Sequence, residues 1–521
     1  MLPAHPVLTC AESVAWEETI LGSDEAKTRA AMLCAGEGVA DAILKDYLEI
    51  RPIPARFRIL VLLGTGHNAG DALIAVRKML GEVPQAVVTA VLLYPRAKLR
   101  PLAEEALREL EKTGGQRVEL REWDEAAAAK LAAESYEVCI EGVLGMQMKP
   151  PLRTPAPEVF ATVAKMSIDL RAAVDLPAGL GDECAPDGFR ADFTYATGIA
   201  KRPVFVPANL ARTGRVRYID IGFFGGANLT STPTSILPPH ALASLCALRP
   251  ANADKRANGH VFIMGGSRSM PGAVCMATMA AVRAGAGLVT TFLPESLLPG
   301  VATLAPEAMW VPLPIENADV AGTLNAVKQI ANRMTALVIG PGLDALDWNV
   351  RAVIGELIRE TRAPIVIDAS ALIPEAVMAV DDRPDEFPPV VFTPHMGEFA
   401  RLVGDKVFQP GCDLDATLTT FSKRHRCVTL LKGPVTRIAD GERVICGSFG
   451  GPTLGRGGSG DILSGIIGAL AAQPGADLFT CACLGALWHG AAAERLARER
   501  GQKAVRTTEI LDHLSPCLRE A

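Results

Sequence analysis

Short apolar runs that end in small or polar residues alternate with helical patterns along the whole chain, and this alternation restricts the fold more than any other feature. In the first half, "FRILVLL" (57–63), "AVVTAVLL" (86–93), "YEVCI" (136–140) and "AAVDL" (172–176) read as strands, while "DALIAVRKML" (71–80) and "LAEEALRELEKT" (102–113) read as helices. Strands that are apolar throughout, separated by helices, predict a mainly parallel sheet covered on both faces. The stretch "FFGGANLTSTPTSILPP" (223–239) breaks the pattern with Gly, Ser, Thr and Pro and reads as an exposed connection. Beyond it "HVFIMGG" (260–266), "LVTTFL" (288–293), "ALVIGPG" (336–342), "APIVIDAS" (363–370) and "CVTLLKG" (427–433) resume the alternation. The expected fold class is α/β, with two three-layer α/β/α domains over 1–225 and 240–521 and a linker over 226–239. Open sheets of this kind bind ligands at the carboxyl ends of their strands, so function is expected in those loops.

Composition narrows the function classes. The chain has 521 residues, 49% of them hydrophobic, and a net charge of −6 without a long basic stripe, which argues against nucleic acid as a partner. The opening "MLPAHPVLTCAESVAWEE" lacks the basic and apolar regions of a secretion signal. No uncharged apolar run reaches the roughly eighteen residues of a membrane span; the longest candidate, "VCMATMAAVRAGAGLVTTF", carries Arg283. Twelve cysteines form no C-x-x-C pair, and no histidine pair completes a zinc site, so they read as reduced thiols filling small core positions. The expected location is the cytoplasm, and the expected partners are small molecules and further copies of the chain, with no nucleic acid and no membrane.

The segment "GRGGSGDILSG" (455–465) is the strongest chemical signal. Gly455, Gly457 and Gly460 formally match G-x-G-x-x-G, but the preceding "CGSFGGPTL" is no strand, and no lysine follows Gly460 to make a Walker loop. What remains is a nest of backbone amides at the start of a helix, suited to an anion, with Asp461 as its one fixed negative group. A carboxylate beside phosphates is useful as the base that takes a proton from an attacking hydroxyl. The plain alternative is a helix cap. Other strand ends add Lys432 and Thr436 in "LKGPVT", His395 and Glu398 in "TPHMGE", Asp368 in "IDAS" and the turn at Gly342 in "GPGLD".

Together with "GHVFIMGGSRSMPGAVCMATMAAVRAGAGLVTTFLPES", these pieces make residues from about 240 to 515 resemble the ribokinase-like NAD(P)H-hydrate dehydratases, which more often carry Pro at Met396 and Asp at Ser370. The resemblance implies removal of the water added across the ring double bond of NADH or NADPH. The ring hydroxyl takes a phosphoryl group and phosphate then leaves. ADP rather than ATP is implied by the bacterial-type two-domain arrangement. Asp461 is then the base; Ala273, Gly342, His395 and Asp461 contact the hydrate. Lys432, Gly433, Pro434, Val435 and Thr436, with Gly460, contact the nucleotide. "TPHMGE" also resembles the "TPNxxE" loop of sugar kinases, which implies magnesium held through water at Glu398.

In the first half, "LLGTGHNAGDALIAVRKML" (62–80) places Gly64, Gly66 and Ala69 between a strand and a helix. The acid that a dinucleotide-binding domain carries after its next strand is missing from "VLLYPR", which disfavours an ordinary dehydrogenase; a structural turn is the plain alternative. With "PVLTCAESVAWEE", "EGVLG", "AVDLPAGL", "ADFTYATGIAKRP" and "GRVRYIDIG", this Rossmann-like half resembles the NAD(P)H-hydrate epimerases, whose loop usually reads "GxGNNGGDG". The resemblance implies interconversion of R and S hydrates. The hydrate would touch His67, Asn68, Ala69, Gly70 and Asp71, then Gly145, Met146, Gln147, Met148, Lys149, Pro150 and Pro151. Asp175 would also touch it and take part in proton transfer. A potassium ion would use Asn68, Glu141 and the position of Ala178. His67, Ala69, Ala72, Glu141 and Ala178 depart from the usual Asn, Gly, Gly, Asp and Ser. Two competing readings are a ribokinase-like kinase that keeps its phosphorylated product, and a dehydratase whose first half only binds nucleotides.

Overall fold

The computed structural model describes residues 2–225, 232–344, 347–404 and 411–520, with backbone alone at 316 and 317. Two compact units divide the chain: residues 5–232 with 497–502, and residues 1–4, 233–496 and 503–521.

In the N-terminal unit, seven parallel strands follow the order Val118–Glu122, Ala86–Leu92, Phe57–Leu63, Ser135–Gly142, Ser167–Val174, Phe193–Thr197, Arg215–Ile219. Both faces are covered, which is why the central strands are apolar at consecutive positions. Val39, Ile43, Leu73 and Leu107, from three helices, join one core, and Leu131 and Val159 join the other. The helix Glu25–Tyr47 starts where the Asp24 side chain accepts the amides of Ala26 and Lys27. Strand order reverses at Phe57–Leu63, whose neighbours are the next strand on one side and Ser135–Gly142 on the other. A crevice opens at such a switch point, beyond the carboxyl ends.

The C-terminal unit repeats the logic. Its parallel strands run Met309–Leu313, Leu288–Pro294, His260–Met264, Ala336–Ile339, Ile365–Ile367, Val390–Phe392, Cys427–Leu431. Arg437–Ala439 and Val444–Cys446 continue the sheet antiparallel, and Thr234–Ile236 pairs with the latter in parallel. The order reverses at His260–Met264. Helices Pro271–Arg283 and Ser459–Ala471 build one core with this sheet, while Trp348–Glu360 and Pro374–Asp381 build the other. No helix among the described residues is long and apolar enough to cross a membrane.

The expected linker needs correction. Residues 226–231 lie outside those described, but Thr234–Ile236 is a strand with Ile236 fully buried, so 234–236 within the expected linker belong to a sheet. The three-residue run carries two hydroxyl residues and a single large apolar one, too little pattern to mark a strand.

Gly340 joins strand Ala336–Ile339 to the switch-point loop at φ +123, and a Cβ there would lie 1.8 Å from the Asp368 carbonyl oxygen. Replacement by alanine combines strained backbone with a collision against main chain. Gly340→Ala is expected to cost at least about 2 kcal/mol and to lower the C-terminal unit's melting transition by about 4 °C or more, read by circular dichroism.

Candidate functional site

In the C-terminal unit the glycine-rich loop leads into helix Ser459–Ala471, with Gly458 in the left-handed region at the N-cap. Asp461 therefore does not cap the helix. It lies in the first turn, half-buried, and its carboxylate takes no hydrogen bond from the described residues. Burial pushes its pKa up to about 6, the charge of Asp368 adds to the rise, and Lys432 opposes it.

Two strand ends supply those neighbours. Asp368 follows Ile365–Ile367 and is 1% exposed. Its Oδ1 accepts from Lys432 Nζ at 2.9 Å and from the Thr393 hydroxyl at 2.7 Å, while its Oδ2 is buried without a partner. Lys432 follows Cys427–Leu431; burial works against its ammonium, yet Asp368, Glu398 and Asp461 hold its pKa above the usual lysine value. A Cβ on Gly460 would lie 3.2 Å from Lys432 Nζ and 3.7 Å from Asp368 Oδ2, so the helix start closes over this pair. Two carboxylates thus share one ammonium beneath an amide-rich turn. Such a set can hold an anion and accept a proton.

Other expected residues are positioned differently. His395 caps helix Met396–Val403, its Nδ1 accepting the amides of Gly397 at 3.0 Å and Glu398 at 3.3 Å. Glu398 returns the contact: Oε2 accepts the His395 amide at 2.7 Å, and Oε1 lies 3.4 Å from His395 Nε2. Both oxygens of Glu398 face the capping residue, so it shapes this loop. Lys432 bonds inward to Asp368, leaving Gly433 and Pro434 as the exposed part of the expected nucleotide segment. Val435 is buried, and the Thr436 carbonyl accepts the Gly447 amide at 2.8 Å. Gly342, at φ +70, abuts Ala273: a Cβ there would lie 2.8 Å from the alanine methyl. The strand-end turn and helix start that carry these two residues do meet. Sequence reasoning missed Thr393 and His489. His489 Nε2 is buried and unpartnered, and burial, with Lys432 nearby, lowers its pKa to about 4. It lies within the long helix Leu478–Arg500, where nothing local in the sequence marks it.

In the N-terminal unit, Gly64 lets the turn after Phe57–Leu63 approach the next strand end; a Cβ would lie 1.8 Å from the Val143 carbonyl oxygen. Helix His67–Glu82 begins there with His67 exposed. Ala69 is fully buried, and Gly70 packs on Met32, so only their main chain is available to a ligand. Asn68 Nδ2 donates to the Leu144 carbonyl at 3.0 Å, whereas its Oδ1 is buried with no partner. Glu141 ends the adjacent strand fully buried, accepting amides from Val143 at 2.7 Å and Ala178 at 2.9 Å. Burial outweighs those amides and raises its pKa to about 7. Ala178 is corrected as a cation ligand: a methyl replaces the hydroxyl, and the residue's N–H points to Glu141. Asn68 Oδ1 and the Glu141 carboxylate, with no positive side chain among its influences, do fit a monovalent cation. Asp175 ends strand Ser167–Val174 at φ +67 and is ion-paired to buried Lys201. The loop Gly145 to Pro151 is partly exposed beyond Glu141.

The Asp461 geometry predicts a pH effect. If Asp461 acts as a base it works ionised, and activity is then expected to rise with pH through about 6. Asp368→Asn removes the second of the two causes of this rise and leaves burial in place, so the rising limb of the pH–rate profile should move to lower pH.

Two family models match the chain: "NAD(P)H-hydrate dehydratase" over residues 261–516 and "YjeF-related protein N-terminus" over residues 29–203. The bifunctional NAD(P)H-hydrate repair enzyme of Moorella thermoacetica is 32% identical over 478 residues, covering 89% of this chain and 88% of its own. Its counterpart from Gloeobacter violaceus is 33% identical over 480 residues, with coverage of 89% and 88%. A solved ribokinase-like superfamily protein from Enterococcus faecalis V583 is 25% identical with a TM-score of 0.49, covering 56% of this chain and 98% of that one. Because the relatives align along both halves, the chain belongs to the family of bifunctional NAD(P)H-hydrate repair enzymes.

Proposed function

We propose that this chain repairs hydrated NADH and NADPH, equilibrating the R and S hydrates in its N-terminal unit and dehydrating the S hydrate at the expense of ADP in its C-terminal unit. The observation that carries the second activity is the Asp461 carboxylate, unpartnered at the start of an amide-rich helix and within electrostatic reach of Asp368 and Lys432. Asp461 takes the proton of the ring hydroxyl as its oxygen attacks the β-phosphorus of ADP, and AMP leaves. The amides from the glycine loop stabilise the transferring group. The ring nitrogen's electron pair then expels phosphate, and loss of a proton from the neighbouring ring carbon restores the double bond. Gly433, Pro434 and Gly460 supply the exposed backbone against which a nucleotide can lie; Ala273, Gly342 and His395 border the hydrate.

Two ions belong to this reading. A magnesium ion bound with the nucleotide would supply positive charge against the phosphates. The buried, unpartnered Oδ2 of Asp368 fits a hydrated cation better than Glu398, whose oxygens face His395. Potassium would be held by Asn68 and Glu141, offsetting a carboxylate that otherwise has amides alone. The free cysteines suit a reducing cytoplasm.

Asp461→Asn keeps the shape and removes the base. Turnover of purified S hydrate with ADP should fall by at least about 100-fold with the melting transition retained, and near-normal turnover would reject the assignment. A racemic hydrate mixture with excess ADP should be consumed completely, followed by recovery of nicotinamide absorbance. A halt at the S fraction would leave the N-terminal unit as a binding domain only.

A further inference from the structure

Around Asp175, the N-terminal unit gathers more ionisable groups than substrate binding requires. Lys201 is 1% exposed; its Nζ donates to Asp175 Oδ1 and, at 3.1 Å, to the Thr197 carbonyl. The Thr197 hydroxyl also reaches Asp175 Oδ1, at 3.4 Å. Asp71, in the first turns of helix His67–Glu82, presents a buried Oδ1 with no hydrogen-bond partner. Burial, then the charges of Asp175 and Glu17, push the Asp71 pKa well above the usual carboxylate value, with Lys201 opposing. Glu17 comes from helix Cys10–Leu21, which is fixed by the Asp182 carboxylate accepting the amides of Cys10 at 2.8 Å and Ala11 at 3.0 Å. Burial, aided by Asp175 and opposed by Lys201, raises Glu17 to about 7. Cys10, on the same helix, is pushed up to about 12 by burial and then by Asp182 and Asp175, and stays a neutral thiol. Three acids therefore share one ammonium, which is bonded to only one of them.

Paired carboxylates in unlike environments divide into an acid and a base. The substrate needs both. Water adds to an enamine with its hydroxyl on the carbon beside nitrogen, so changing that carbon's configuration requires the hydroxyl to leave and return from the other face. We propose that Asp71 is the proton donor and Asp175 the proton acceptor of the epimerase reaction, with Lys201 the positioning residue that separates their roles.

The assignment rests on the epimerase reading above. The ring nitrogen's electron pair forms a C=N bond as the C–O bond breaks, and the oxygen departs as water with the Asp71 proton. A water attacks the opposite face, its proton passes to Asp175 while the O–H electrons stay on the oxygen, and the C=N pair returns to nitrogen. No electron is gained or lost overall. The enzyme is left with Asp71 ionised and Asp175 protonated, the state that runs the reaction backwards, and exchange with solvent resets it.

The test measures conversion of purified R hydrate and of purified S hydrate by the full chain with ADP, each against pH. In the wild type, R conversion should fall on an alkaline limb above the ordinary carboxylate range. Asp71→Asn should lower the R-to-S rate ratio by at least about 100-fold and abolish that limb. Lys201→Met should lower the R-to-S rate ratio by at least about 10-fold, because the ammonium that holds Asp175 in place is gone, and Lys201→Arg should restore it. An Asp71→Asn protein within threefold of the wild-type ratio, or a wild-type profile without the alkaline limb, would overturn the assignment while leaving the epimerase reading intact. A wild type that never converts R hydrate would overturn both.

Discussion

Both units depend on a shortage of positive charge. Each gathers carboxylates where parallel strands end and provides a single lysine to balance them. Among the described residues, Lys432 bonds Asp368 and leaves Asp461 with no protein donor, and Lys201 bonds Asp175 and leaves Asp71 Oδ1 with none. In a low-dielectric site, an acid without its own counter-charge resists ionisation, and a neighbouring anion deepens that resistance. The outcome is one tethered carboxylate and one poised to exchange protons. Acid–base chemistry near neutral pH needs that division.

The sheet makes the arrangement possible. Strand order reverses at Phe57–Leu63 in one unit and at His260–Met264 in the other, so helix-bearing loops part at the carboxyl ends and leave room for a ligand. Small residues bring the backbone close at these points. Gly64 reaches the Val143 carbonyl, Gly340 reaches that of Asp368, and Gly460 leaves space above Lys432. Within the segment 455–465, Gly460 is thus explained by close approach as much as by anion binding.

Much of this was legible in the sequence, and what was not has physical causes. The run 57–63 coincides with strand Phe57–Leu63, because all but one of its residues are buried. The run 172–176 identified only the end of Ser167–Val174. Asp169 and Arg171 alternate with buried Ile168 and Leu170 and interrupt the apolar run there. Arg437–Ala439 and Val444–Cys446, at three residues each, are too short to show a period. At the site, Asp461 was visible through its glycines. The bond between Lys432 and Asp368 spans 64 residues, and no local pattern records it. Lys201 sat unremarked within "GIAKRP", since a lone lysine after a strand usually reaches solvent; here it is buried against Asp175.

The central claim is that burial and the neighbouring charge of Asp368, only partly offset by Lys432, keep Asp461 weakly acidic. Carbon-13 NMR of aspartate side-chain carboxyls, titrated in the wild type and assigned by the signal absent from Asp461→Asn, measures this directly. The account predicts a midpoint of about 6 for that signal. A midpoint at about 4, the ordinary value for aspartate, would contradict it.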